Sequence, residues 1–235
     1  MHGGEVNQQI SFNLGTGNSI YDPDNREYIA DCNLIGQYNR ICRLTVFDGM
    51  NRIIVNLQPL GWYKLFGIPA QCLLIRNINL ESVLGNEILD LHRHLRISHD
   101  IKKQMLLLDS FFLDRLFSPR YDHRNIEHAV RLITETRGNI SINQVERETF
   151  ITRRTLERHF LEQTGLYPKM FAQIVRFNEA IKCLEKNQRP NWANFASYLG
   201  YCDQSHFINE FRRFAGCRPG RYSVHRQEFE PVPVS

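Results

Sequence analysis

The sequence predicts an α+β protein: a small β-sandwich or barrel-like unit with covering helices comes first, and an all-α unit follows. Three observations carry this. Up to about residue 80 the chain is broken by turn residues (Gly15, Gly17, Asn18, Asp22, Pro23 and Gly49) and has few helix caps. From Leu80 the apolar spacing changes to the helical period. From Asn125 to about His225 everything reads as helices joined by short turns. With 235 residues, two modest cores are favoured over one large one. The 42% hydrophobic and 23% charged content is that of a folded globular chain, which excludes disorder and fibrous repeats.

In the first unit Arg52-Ile-Ile-Val-Asn-Leu-Gln-Pro59 is the best strand, dense in β-branched residues and stopped by proline. The aromatic stretch Gly61-Trp-Tyr-Lys-Leu-Phe-Gly67 reads as the next. Leu84, Ile88, Leu91 and Leu95 then form one helical stripe, and Ile101, Met105, Leu108, Phe112 and Leu116 another. These stripes can cover the sheet or meet a second copy of the chain, and a small sheet needs covering. Ser118-Pro119-Arg120-Tyr121-Asp122 reads as a linker, which divides the chain into residues 1–118 and 123–226.

Charge divides the chain in the same way. Residues 1–122 hold 12 basic and 13 acidic side chains, and residues 123–226 hold 17 and 10, so the second unit alone is suited to a polyanion. No apolar run approaches a membrane span and the start lacks the pattern of a signal peptide, so a cytoplasmic protein without membrane contact is expected. The six cysteines are scattered, with no Cys-x-x-Cys pair, and read as free thiols. His92 and His94 lie two apart on a helix, point to different faces, and read as surface residues rather than metal ligands. No metal or cofactor is expected.

Within the all-α unit one pattern occurs twice: a short helix, a tight turn, and a capped second helix with polar residues outward. In the first copy, Ser141 to Phe160, Thr152 is the N-cap candidate, and Leu156 and Phe160 form the buried edge. Arg153, Arg154, Glu157, Arg158 and His159 stand on the other face. In the second, Asn194 to Phe214, Gly200 makes the turn and Asp203 the cap, while Phe207, Phe211 and Phe214 pack inward. Gln204, Ser205, His206, Asn209, Arg212 and Arg213 remain outside. These side chains can hydrogen-bond base edges or phosphates. The alternative for each is a solvated face: Glu157 can pair with Arg153 or Arg154 along the helix, and His206 can be a partly buried neighbour of the cap.

Residues 125–222 resemble the DNA-binding domain of the AraC family. The match rests on the stretch from Gly200-Tyr-Cys-Asp-Gln-Ser-His-Phe through Gly216-Cys-Arg-Pro219-Gly-Arg-Tyr222, on Arg154-Thr-Leu-Glu-Arg-His-Phe160, on Gly165 followed by Pro168, and on Arg176 followed by Ala180. The resemblance implies two helix-turn-helix units joined by a long helix, their second helices entering successive major-groove faces roughly 34 Å apart. Carried over by position, Arg154, Glu157 and Arg158 meet bases, with Arg153 nearer the backbone. Gln204, Ser205, His206 and Asn209 meet bases in the second unit, with Arg212 and Arg213 on phosphate. Arg176 on the linking helix pairs internally. The resemblance also implies double-stranded promoter DNA and RNA polymerase as partners.

The first unit departs from the family pattern. Glu146 stands where a small alanine is usual and Phe150 where glycine is common, which predicts a distorted or less specific unit. The second keeps a small Ala196. Residues from about Gly36 to Arg120, above all Leu57 to Pro69, resemble a sensory domain found fused to AraC-type domains, which leaves a small-molecule effector open. Trp62, Tyr63 and Phe66 are either core or pocket lining. A DNA-repair alkyltransferase fused to such helices is the enzyme alternative. It needs a four-cysteine zinc cluster or a Pro-Cys-His site, and neither occurs here, so no enzyme is expected. A DNA-binding module whose N-terminal half only forms a homodimer stays open beside the effector-controlled regulator.

Overall fold

The computed structural model describes residues 7–36, 44–73, 77–116, 124–186 and 191–225. Strands β1 (Gln8–Asn13), β4 (Cys32–Ile35), β6 (Arg52–Leu57) and β7 (Asn77–Asn79) form an antiparallel sheet in the order β6-β1-β4-β7. In its register Ile10 lies between Leu34 and Val55. A second sheet, β3-β2-β5, is built from β2 (Ile20–Asp22), β3 (Glu27–Tyr28) and β5 (Thr45–Val46). The period of two splits the larger sheet cleanly. Ile10, Phe12, Leu34 and Leu57 face a buried core, while Ser11, Asn33 and Arg52 share the other face. There Arg52 donates through Nε to Ser11 Oγ (2.7 Å) and through Nη2 to Asn33 Oδ1 (2.8 Å). Asn77 Nδ2 donates to Asp22 Oδ2 at 3.3 Å and ties the two sheets together.

The apolar face is covered by α1 (Gly61–Phe66), α3 (Asn86–Ile97) and α4 (Ile101–Leu116), with the single turn α2 (Glu81–Leu84) before α3. The segment Gly61–Gly67, expected as a strand, is a helix. Trp62, Tyr63 and Phe66 fall on one helical face and are all buried, and Gly67 ends the helix at φ 67° with its N–H on Tyr63 O. Burial of three aromatics overrides their strand preference. All three belong to the core rather than to a pocket lining.

Two other expectations are corrected. His92 is buried beside Ile88, Leu91 and Leu95, with Nε2 2.5 Å from Asn13 O, whereas His94 is exposed. Positions 88, 92 and 95 share one helical face, so a hydrogen bond across to β1 makes the inward histidine affordable. On α4 only the middle of the expected stripe meets the core: Leu108 is buried and Phe112 packs against it, while Ile101, Met105 and Leu116 are exposed and Gln104 is buried in their place. Gln104 Nε2 donates to Leu95 O (3.0 Å) and Ser98 O (2.7 Å), the open carbonyls at the end of α3, and that demand sets the rotation of α4. The expected linker from Ser118 to Asp122 lies outside the described residues.

The rest of the described chain is helical: α5 (Arg124–Glu135), α6 (Ile142–Thr149), α7 (Arg153–Thr164), α8 (Pro168–Lys186), α9 (Trp192–Tyr198), α10 (Gln204–Ala215) and α11 (Pro219–His225). Phe171, Ile174, Phe177 and Leu184 of α8 are buried as its period predicts, and one hydrophobic cluster runs from Ile126 to Ala215. Leu60, from the N-terminal part, is built into that cluster. None of the helices among the described residues is long and apolar enough to cross a membrane.

Candidate nucleic-acid interface

The first helical pair is α6 and α7. Ser141 caps α6 by accepting the Gln144 N–H, and Thr152 Oγ1 caps α7 by accepting the Thr155 N–H at 3.3 Å. Leu156 and Phe160 are completely buried, which fixes the rotation of α7 and leaves Arg153, Arg154 and Arg158 exposed. Arg153 Nε donates to Glu157 Oε1 at 2.9 Å, the pairing along the helix that the sequence allowed. Arg158 Nη2 lies 3.1 Å from His159 Nε2, and His159 Nδ1 lies 3.3 Å from Glu162 Oε2. Arg154 has no hydrogen bond or ion pair among the described residues.

Glu146 was expected to disturb this pair. It instead accepts the Arg153 backbone N–H through Oε1 at 3.0 Å. An alanine could not do this. The carboxylate satisfies an open donor of the first turn of α7 and complements the positive end of the helix dipole, so the departure from the family pattern supports the second helix. Phe150 ends α6 in the left-handed conformation at φ 56°.

The second pair is α9 and α10. Asn191 caps α9 through the N–H groups of Ala193 and Asn194, and Gly200 turns the chain at φ 77°. Asp203 Oδ1 caps α10 by accepting the His206 N–H at 2.7 Å, and this bond holds the Asp203 carboxyl below its ordinary range. Phe207, Phe211 and Phe214 point inward, and Gln204, Ser205, His206, Asn209, Arg212 and Arg213 are exposed. His206 follows the local alternative: its Nδ1 lies 3.2 Å from Cys202 Sγ and its ring stands edge-on to Tyr201. Arg213 lies against Phe214 and Met170.

What holds the second pair to α8 was only partly foreseen. Glu210, 5% exposed, accepts from Gln173 Nε2 (3.0 Å), Arg176 Nε (3.2 Å) and Tyr201 Oη (2.8 Å). Arg176 also lies over the Tyr201 ring. Burial, then the neighbouring carboxylate, pushes the Tyr201 hydroxyl well above its ordinary range. A sequence signal existed. Glu210 sits at the core period of α10, three residues after Phe207 and four before Phe214, where a charge survives only if it is paired.

The N-terminal part rests directly on α7. The 3₁₀ turn Ala70–Leu73 and α1 pack against it, and Tyr63 Oη donates to Glu162 Oε1 at 3.2 Å. Lys64 Nζ reaches Glu127 on α5 at 2.6 Å. No sequence signal marks these contacts, because the partners lie far apart along the chain. Among the described residues no group of three or more His, Cys, Asp or Glu side chains could hold a metal ion.

A family model described as a helix-turn-helix domain matches residues 145–224. The HTH-type transcriptional regulator YbfI of Bacillus subtilis is 35% identical over 68 residues, and the probable transcriptional regulator LumQ of Photobacterium leiognathi is 25% identical over 122. These matches take in 29% and 52% of this chain, which spans only 24% and 46% of those relatives. A transcriptional regulator of the AraC-type DNA-binding domain-containing proteins from Chromobacterium violaceum superposes with a TM-score of 0.41 at 20% identity, over 46% of this chain and 96% of that one. With two capped helix pairs around one linking helix, and the family model lying across both, the chain carries a helix-turn-helix domain over residues 145–224.

Proposed function

We propose that the protein is a sequence-specific DNA-binding transcription regulator that reads promoter DNA with α7 and α10 through residues 123–226, its residues 1–118 acting as a sensory or pairing unit. One observation carries this. Each of the two helices starts at a side-chain cap, buries an apolar edge in a core shared through α8, and leaves hydrogen-bonding side chains in solvent. A solvated face needs neither the duplication nor the shared core. Arg154 and Arg158 in α7, and Gln204, Ser205 and Asn209 in α10, are the base-reading set. Arg212 and Arg213 serve phosphate, and Arg153 and Glu157 reach DNA by exchanging their mutual ion pair for it. His206 joins the base-reading set by leaving Cys202. RNA polymerase is the further partner expected of such a regulator.

Two uses of the N-terminal part are distinguishable. A small-molecule effector is favoured by a cavity of about 400 Å³ lined by Asp31, Asn79, Glu81 and His92, among others. A homodimer without effector is favoured by the exposed Ile97, Ile101, Met105, Leu113 and Leu116 of α3 and α4. The experiment for the main proposal is selection of the purified chain on a random duplex library, followed by affinity against salt for the enriched site. Two short blocks about one helical turn apart are expected, with affinity falling steeply as salt rises. No enrichment, with or without effector candidates, rejects it.

A further inference from the structure

Phe150 carries two costs that a glycine at the same turn would avoid. Its backbone stands at φ 56°, a conformation disfavoured for a bulky side chain, and its ring is 93% exposed. The turn of the second pair adopts the same left-handed state with Gly200, where a Cβ would come within 2.3 Å of the Asn139 side chain. The turn therefore asks for a left-handed residue, and glycine meets that demand without strain. Nor does the ring serve packing, since the next residue, Ile151, supplies the contact with the core. A residue held in strain without structural benefit is characteristic of a contact site.

Position narrows the contact. Phe150 lies two residues before Thr152, the cap of α7, so it sits at the same end of the helix as Arg153 and Arg154. In helix-turn-helix docking that end enters the major groove, and the turn leading into it travels with it. Glu146, whose carboxylate caps the same helix start, repels phosphate there and disfavours a backbone role for the ring. The apolar group that the groove offers is the thymine C5-methyl, which phenylalanine can contact. We propose that Phe150 is a specificity-determining residue whose ring packs on a thymine C5-methyl beside the bases met by Arg154. This rests on the DNA-binding function proposed above.

The test uses Phe150→Gly, because glycine is at ease at φ 56° and the variant should melt no lower than the native chain. Both proteins are taken through the random-library selection, and affinity is then measured on the enriched duplex with each thymine replaced in turn by deoxyuridine. One thymine is expected at which the missing methyl weakens the native protein about 4-fold. The same replacement should leave Phe150→Gly unaffected, and that variant should bind the intact site on the order of 10-fold more weakly. Unchanged affinity and profile for Phe150→Gly overturn the inference and leave the ring to a protein partner. Equal weakening on all sequences overturns it too, in favour of a backbone contact. If the native chain itself enriches nothing, the DNA-binding proposal fails first, and the inference falls with it.

Discussion

Arg176 on α8 and Glu210 on α10 form a buried ion pair, with Nε 3.2 Å from Oε1 and side-chain exposures of 14% and 3%. Gln173 and Tyr201 complete the carboxylate's hydrogen bonds, so the linking helix α8 and α10 are joined by a satisfied polar cluster rather than by apolar contact alone. Removing one partner strands the other. Glu210→Ala should destabilise the helical unit by about 3 to 5 kcal/mol in urea unfolding. Arg176→Met combined with Glu210→Leu should cost less than Glu210→Ala alone, and a double variant as damaged as the single one would show that the cluster is not governed by desolvation.

Arg154→Ala and Gln204→Ala should each weaken binding to the selected site by roughly 1 to 3 kcal/mol and relax base preference at one position. Arg212→Ala should instead weaken all sequences alike and flatten the dependence of affinity on salt. If Arg154→Ala lowers affinity equally on random and selected DNA, it leaves the base-reading set.

Asp203 supplies an acid-dependent element of stability. Its carboxyl titrates lower in the folded chain because the ionised form accepts the His206 N–H. The contribution is therefore complete above the ordinary carboxylate range and is lost as the pH falls through the lowered folded value. Asp203→Asn, which keeps a capping oxygen without a titrating group, should narrow the difference in melting temperature between pH 7 and pH 3. An unchanged difference would place the acid sensitivity elsewhere.

Cys32 is 2% exposed and burial pushes its thiol up to about 12, while Cys72 and Cys202 are exposed. Iodoacetamide at pH 8.5 should label Cys72 and Cys202 in the folded chain and reach Cys32 only after unfolding. Mass spectrometry of the labelled peptides reads this directly.

How far the sequence reaches depends on the distance over which each feature is decided. The caps at Thr152 and Asp203, the buried phenylalanines of α10 and the long apolar side of α8 follow from neighbours within two helical turns. Spacing alone displays such features. The exposed base-reading candidates were legible for the same reason, as the complement of a buried edge. By contrast, Gly61–Gly67 became a helix because three aromatics had a core to enter, and α4 left Ile101, Met105 and Leu116 outside because Gln104 had carbonyls of α3 to satisfy. His92 turned inward for a carbonyl on β1. The Tyr63 to Glu162 hydrogen bond joins residues far apart in the chain.

By itself the sequence determined the helix-turn-helix pairs, their caps, their outward side chains and the basic character of the unit that holds them. Tertiary structure alone decided which apolar stripe is buried, that Glu146 caps α7, and that the N-terminal part rests on that helix. The reason is physical: local periodicity records which face of an element prefers to leave water. Unpaired donors and acceptors choose their partners only once distant segments are brought together.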